Sequence, residues 1–247
     1  MNDLNKKESL SSDLYELAIL LNKYELMSNC KDLYDAAEKI RTSQNSTLWK
    51  YECTNLNFYI DGAIGGTIPV NISCVDILFS IKIEGIYNCE KTYLNPLNFL
   101  AFDLELSGYD CDSSTFYAAW HLDKHTGQPD DNECDFNHPE YHFTFGGHKM
   151  EEKGDIFGNS LVLPSPRISF PPMDVILGID FILQNYFKLS KRRKIMNDSK
   201  YKEIIFNSQV RLWKPYYTSI TSKWHEFPEI SFNQNIHYTK MNPFLNH

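Results

Sequence analysis

From residue 75 to residue 106 the apolar period of the chain is two. Val75, Ile77, Phe79, Ile81 and Ile83 alternate with Asp76, Leu78, Ser80, Lys82 and Glu84, and Leu100, Phe102, Leu104 and Leu106 alternate with Ala101, Asp103 and Glu105. Successive side chains of a strand point to opposite faces, so each run reads as a strand with one buried face. Thr115–Asp123 and Glu140–Phe145 are further strand candidates, and Asn55–Ile60 adds an edge strand. The turn residues between these runs suit an antiparallel meander. A sheet with an apolar face requires a second layer to cover it.

Segments of helical period on both sides of the meander supply that layer. Residues 13 to 27 place Leu14, Leu17, Ala18, Leu21 and Tyr24 on one stripe, with Asp13 and Glu16 spaced as a capping box. Leu33, Ala36, Ala37 and Ile40 predict a second helix capped by Asp32. After Gly158, four prolines between Leu161 and Pro172 forbid a continuous helix or a central strand, so an extended crossover is expected there. Met173–Phe187 has almost no polar face and predicts a buried helix. A last helix is expected over Ser199–Trp224, with Tyr201, Ile204, Ile205, Ser208 and Leu212 along one side and a kink at Pro215. The expected architecture is a single α+β domain: helical 1–45, sheet 49–147, crossover and helices 158–225, irregular tail 226–247, with helices packed on one face of the sheet.

Composition narrows the classes of function. Of the 247 residues 42% are hydrophobic and 14% aromatic, enough apolar surface for a sizeable core. A net charge of −8 disfavours general adhesion to nucleic acid and leaves only the basic run Lys188–Lys202, read as a solvated loop between helices. No stretch reaches the ~18 apolar residues of a membrane span, and no apolar run follows the first basic pair. Cys30, Cys53, Cys74, Cys89, Cys111 and Cys134 include no C-x-x-C pair and read as reduced thiols, consistent with a cytoplasmic location.

Five of the eight histidines fall between His121 and His148. On an extended chain His121, Asp123 and His125 share a face opposite Trp120 and Leu122, and His138, His142 and Thr144 share one opposite Tyr141, Phe143 and Phe145. If the two segments pair with both apolar sets inward, the two polar sets converge. Neutral imidazole with carboxylate suits zinc, manganese or iron, and the same groups serve as acid and base near neutral pH. The candidate metal ligands are therefore His121, Asp123, His138 and His142. The candidate catalytic residues are His121, Asp123, His142 and Arg167, with Arg167 placed to hold a phosphate or carboxylate. An ordinary solvated sheet face gives the same pattern, so a polar surface, a divalent metal centre and a metal-free acid–base site all stand open. Gly146-Gly147 reads as a turn flanked by His148 and Lys149. Asp180, in the most apolar helix, needs a partner, for which Arg167 is the first candidate. If Asp180 is merely a tolerated buried ion, Asp180→Leu should cost less than Asp180→Asn.

The order of helix, meander, His138-Pro139, proline-rich crossover and helices resembles the ubiquitin-conjugating fold. In that family the nucleophilic cysteine follows the His-Pro element, whereas here the last cysteine is Cys134. The resemblance implies a topology without conjugating activity. Two functions are expected from the residues: a metal-dependent hydrolase or nuclease built on the His/Asp cluster, or a non-catalytic protein-binding subunit of a bacterial multiprotein complex. For the second, Arg211–Tyr217 is the aromatic segment to inspect, and self-association is a further possibility.

Overall fold

The computed structural model of the chain describes residues 3–62, 66–67, 69, 71–87, 95–112, 114–124, 138–153, 167–221 and 224. His125, Cys89, Cys134, the crossover before Arg167 and the tail 226–247 lie outside these residues. The fold is α+β. Two helices, α1 (Asp3–Lys23) and α2 (Lys31–Thr42), precede strands β1 (Leu48–Asp61), β2 (Ile72–Ile86), β3 (Leu97–Asp110), β4 (Thr115–Lys124) and β5 (Tyr141–Phe145). A short α3 (His148–Glu151) and a two-residue β6 (Ile168–Ser169) lead to α4 (Val175–Tyr186), α5 (Leu189–Asn197) and α6 (Ser199–Thr221). The six strands lie side by side in chain order, each antiparallel to the next. No helix among the described residues is long and apolar enough to cross a membrane.

The period-two runs explain the sheet. Ile77, Phe79, Ile81, Ile83, Leu100, Phe102, Leu104, Leu122 and Phe143 are buried on one face. Helix α4 closes on them at Gly178, where a Cβ would lie 2.5 Å from the Phe79 ring and 2.8 Å from that of Phe102. Glycine is a poor helix former, and here it is the residue that lets the two layers touch. Val175, Ile176, Ile179, Ile182 and Leu183 of α4 are buried, as the nearly apolar helix predicts.

Several local expectations are corrected. Helix α1 begins ten residues before Asp13, because its apolar stripe continues back through the buried Leu10. Asp13 therefore lies inside the helix, accepting from Asn207 at 3.1 Å and Arg211 at 3.3 Å instead of capping. Asp32 sits in the first turn of α2, and its carboxylate accepts from the backbone of Thr54 and Asn55 at the β1 irregularity. Residues 188–202 are not a loop: they form α5 and the start of α6, anchored by the buried Ile195 and Tyr201.

Asp180 is not paired with Arg167. Its carboxylate accepts from the Tyr201 hydroxyl at 2.8 Å and the Gln184 amide at 2.7 Å. Asp174 caps α4 through the Leu177 N–H at 3.0 Å and faces Arg211 at 3.7 Å. Arg211 thus ties α1, α4 and α6 through two buried carboxylates. The Asp180 partners reverse the expected order of substitutions. Asp180→Asn keeps an acceptor for the buried hydroxyl, while Asp180→Leu strands it at a cost of about 1–3 kcal/mol. Urea denaturation should rank Leu as the more damaging change, and Gly178→Ala should lose about 1–3 kcal/mol by overpacking.

Candidate metal centre

The β4–β5 hairpin has the register that aligns the two apolar sets. Leu122 pairs with Phe143, so Asp123 stands opposite His142 and His121 opposite Thr144. Trp120 stacks on Phe143 with ring centroids 5.1 Å apart on the core side. The polar side chains consequently share the other face. Strand β3 adds a residue from its own polar alternation: Asp103 lies opposite His121. Its strand parity, followed through a three-strand register, was the signal that could have found it.

Three of the candidate ligands come together. One ligand atom from each of His121, Asp123 and His142 lies within 4.8 Å of the other two. His121 Nε2 is 3.6 Å from Asp123 Oδ2, close to the roughly 3.4 Å that separates two ligands held ~2.1 Å from a tetrahedral ion. His138 stands outside this set, with its ring centroid 4.7 Å from that of His142. Arg167 precedes β6, and its charge acts on both His121 and His142.

After β5 the chain turns at Gly146 and Gly147, whose φ angles are 96° and 71°. Gly147 passes over the His121 imidazole so closely that a Cβ would lie 2.5 Å from its Nδ1 and Cε1. Both the left-handed backbone and the contact exclude a side chain there. The turn delivers His148 to within 3.9 Å of Asp103 and Lys149 to 3.2 Å from Glu105.

This end of the sheet face runs from the half-exposed Asp123 carboxylate, 39% exposed, to a buried interior. His142 is 4% exposed and Thr144 5%. The Nδ1 atoms of His121 and His142 and the hydroxyl of Thr144 are buried and make no hydrogen bond among the described residues. Burial, then the charges of His138, Arg167 and His121, push the His142 pKa down to about 3. His121 is lowered by burial against an opposing pull from Asp103. Burial, reinforced by the negative charge of Asp103, pushes Asp123 up to about 7. At neutral pH both imidazoles are therefore uncharged, each keeping one N–H and offering one ring-nitrogen lone pair, and the carboxylate beside them is poised to exchange a proton for a cation.

No known protein family, curated protein or solved structure matches this chain.

The geometry has a consequence for the metal-free protein. Because the folded pKa of His142 is depressed below its ordinary 6.5, the unfolded chain binds the extra proton first as pH falls. Stability due to this residue is complete above about pH 6.5 and is lost as pH falls towards about 3. His142→Leu removes the buried, unpaired Nδ1 together with the bond to the Pro139 backbone, so metal-free stability at pH 7 should change by less than about 1 kcal/mol while its acid limb flattens. Chemical denaturation at a series of pH values in the presence of a chelator measures both effects.

Proposed function

We propose that His121, Asp123 and His142 hold a divalent metal ion, zinc or manganese, and that the chain is a metal-dependent hydrolase. The observation that carries this reading is His142, an imidazole 4% exposed whose Nδ1 is buried without a hydrogen-bond partner among the described residues, beside a second imidazole and a carboxylate at ligand spacing. A buried polar atom left unpaired costs stability, and a cation at the centre of the three residues would satisfy it. Three protein ligands leave a coordination position for water, whose pKa a metal ion lowers towards neutrality. The positive charge of Arg167, which acts on both imidazoles, favours an anionic substrate such as a phosphate or carboxylate. Phosphodiester cleavage, a nuclease activity, is one form of this chemistry.

The alternative of a non-catalytic protein-binding subunit draws less support from Arg211–Tyr217. Leu212 and Tyr216 are buried, Arg211 is held by Asp13, and Trp213 donates to the Pro172 carbonyl at 2.9 Å. Only Tyr217 of the aromatic residues in that segment is exposed.

Metal affinity should follow the protonation of Asp123. With both imidazoles already neutral, binding displaces the proton of Asp123 alone, whose pKa is near 7. Zinc or manganese affinity should rise by about tenfold per pH unit below pH 7 and level off above it. Asp123→Asn should lower the affinity and abolish that slope. Calorimetric titration at several pH values tests this; a wild-type affinity independent of pH, or one unaffected by Asp123→Asn, would exclude these ligands. Among the variants, a second substitution in the set should cost little beyond the first, because the three act as one unit.

A further inference from the structure

Strand β1 is an edge of the sheet, and its two halves are treated differently. At its irregularity the Asp32 carboxylate accepts from the backbone of Thr54 at 2.8 Å and of Asn55 at 3.0 Å, so α2 seals that half. From Asn57 to Asp61 the strand partner is β2 alone, in unbroken register from Leu56 opposite Phe79 to Asp61 opposite Cys74. The next residue, Gly62, donates its N–H to the Ser73 carbonyl at 2.9 Å. Bonding in an antiparallel pair alternates residue by residue. Phe58 and Ile60 therefore bond to β2, while Asn57, Tyr59 and Asp61 turn both N–H and C=O outward. Among the described residues no group bonds to these outward N–H and C=O groups.

An open stretch of strand is a template for another strand. This one lies in a groove of 620 Å³ whose lining carries both signs of charge, Glu25, Asp61 and Asp76 with Lys188 and Lys191. Neither a polyanion nor a polycation is favoured there, whereas a surface of mixed sign can meet its own copy about a twofold axis. Charge decides where the axis lies. An axis at Asp61 would set two carboxylates face to face. An axis at Asn57 would set Tyr59 against Asn55, whose N–H is already held by Asp32. An axis at Tyr59 uses all three open residues: Tyr59 meets its copy, and each Asn57 amide meets the Asp61 carboxylate of the second copy. These three residues are exposed, while Phe58 and Ile60 stay in their own core.

We propose that residues 57–61 pair antiparallel with the same segment of a second copy of this chain, about a twofold axis at Tyr59, joining two six-stranded sheets edge to edge. The contact is small, so the dimer is reversible. It does not involve the metal ligands on β4 and β5, and the proposal stands without them. The test is sedimentation velocity of the full-length protein over a range of concentrations with chelator present. Wild type should pass from monomer to dimer as concentration rises. Tyr59→Pro removes an N–H that faces outward and leaves the bonds to β2 in place, so the monomer should fold and dimerise about tenfold more weakly. Asn57→Asp sets carboxylate against carboxylate twice in each dimer and should also weaken it about tenfold. Adding Asp61→Asn to that variant returns one amide opposite each carboxylate and should restore wild-type association, which keeps the test decisive if the proline variant does not fold. His142→Ala should dimerise as wild type does. Protein that stays monomeric up to about 1 mM, a dimer indifferent to Asn57→Asp, or a double variant as weak as the single one would overturn the proposal.

Discussion

The pairing of Leu122 with Phe143 is the constraint on which the site depends. A strand has a side-chain period of two, so a slip of one residue would carry every side chain to the wrong face. Leu122 is fully buried, Phe143 is nearly so, and Trp120 stacks against Phe143 beneath α4. That apolar packing leaves His121 and Asp123 no choice but the face shared with His142 and Thr144. The same logic in the neighbouring strand, where Leu104 pairs with Trp120, brings Asp103 opposite His121. Core packing on one side of the sheet thus sets the geometry of chemistry on the other.

The site runs against stability in several places. Two imidazole nitrogens and a hydroxyl are buried without partners, and burial raises the pKa of both Asp103 and Asp123. Gly147 gives up side-chain packing and accepts a left-handed backbone to lie over His121. Apolar residues at these positions would make a more stable hairpin. A bound cation, as proposed, would reconcile the set, since it would take the imidazole lone pairs and favour the ionised carboxylate.

What was legible in the sequence is what alternation controls. The runs around Phe79, Leu104, Trp120 and Phe143 gave the strands, their order and their buried faces, and the parity of His121, Asp123 and His142 gave their meeting. Interactions between elements distant in sequence were not legible. Asp13 reads as a cap by spacing, but its partner Arg211 lies in α6, so only the packed structure shows that it faces inward. Asp180 finds Tyr201 and not Arg167 for the same reason. Residues 188–202 resemble a loop because their polar surface hides a helical period that needs only Ile195 to anchor it. The burial of His142 also escaped the sequence, because alternation says which face a residue takes and not what covers that face.

Metal content tests the central claim most directly. Wild-type protein and a His142→Ala variant would be saturated with zinc or manganese, desalted and analysed for bound metal at pH 8, where Asp123 is ionised. The account predicts one ion per wild-type chain and loss of that ion in the variant. A wild-type protein that retains no metal, or a variant that retains as much as wild type, would contradict it.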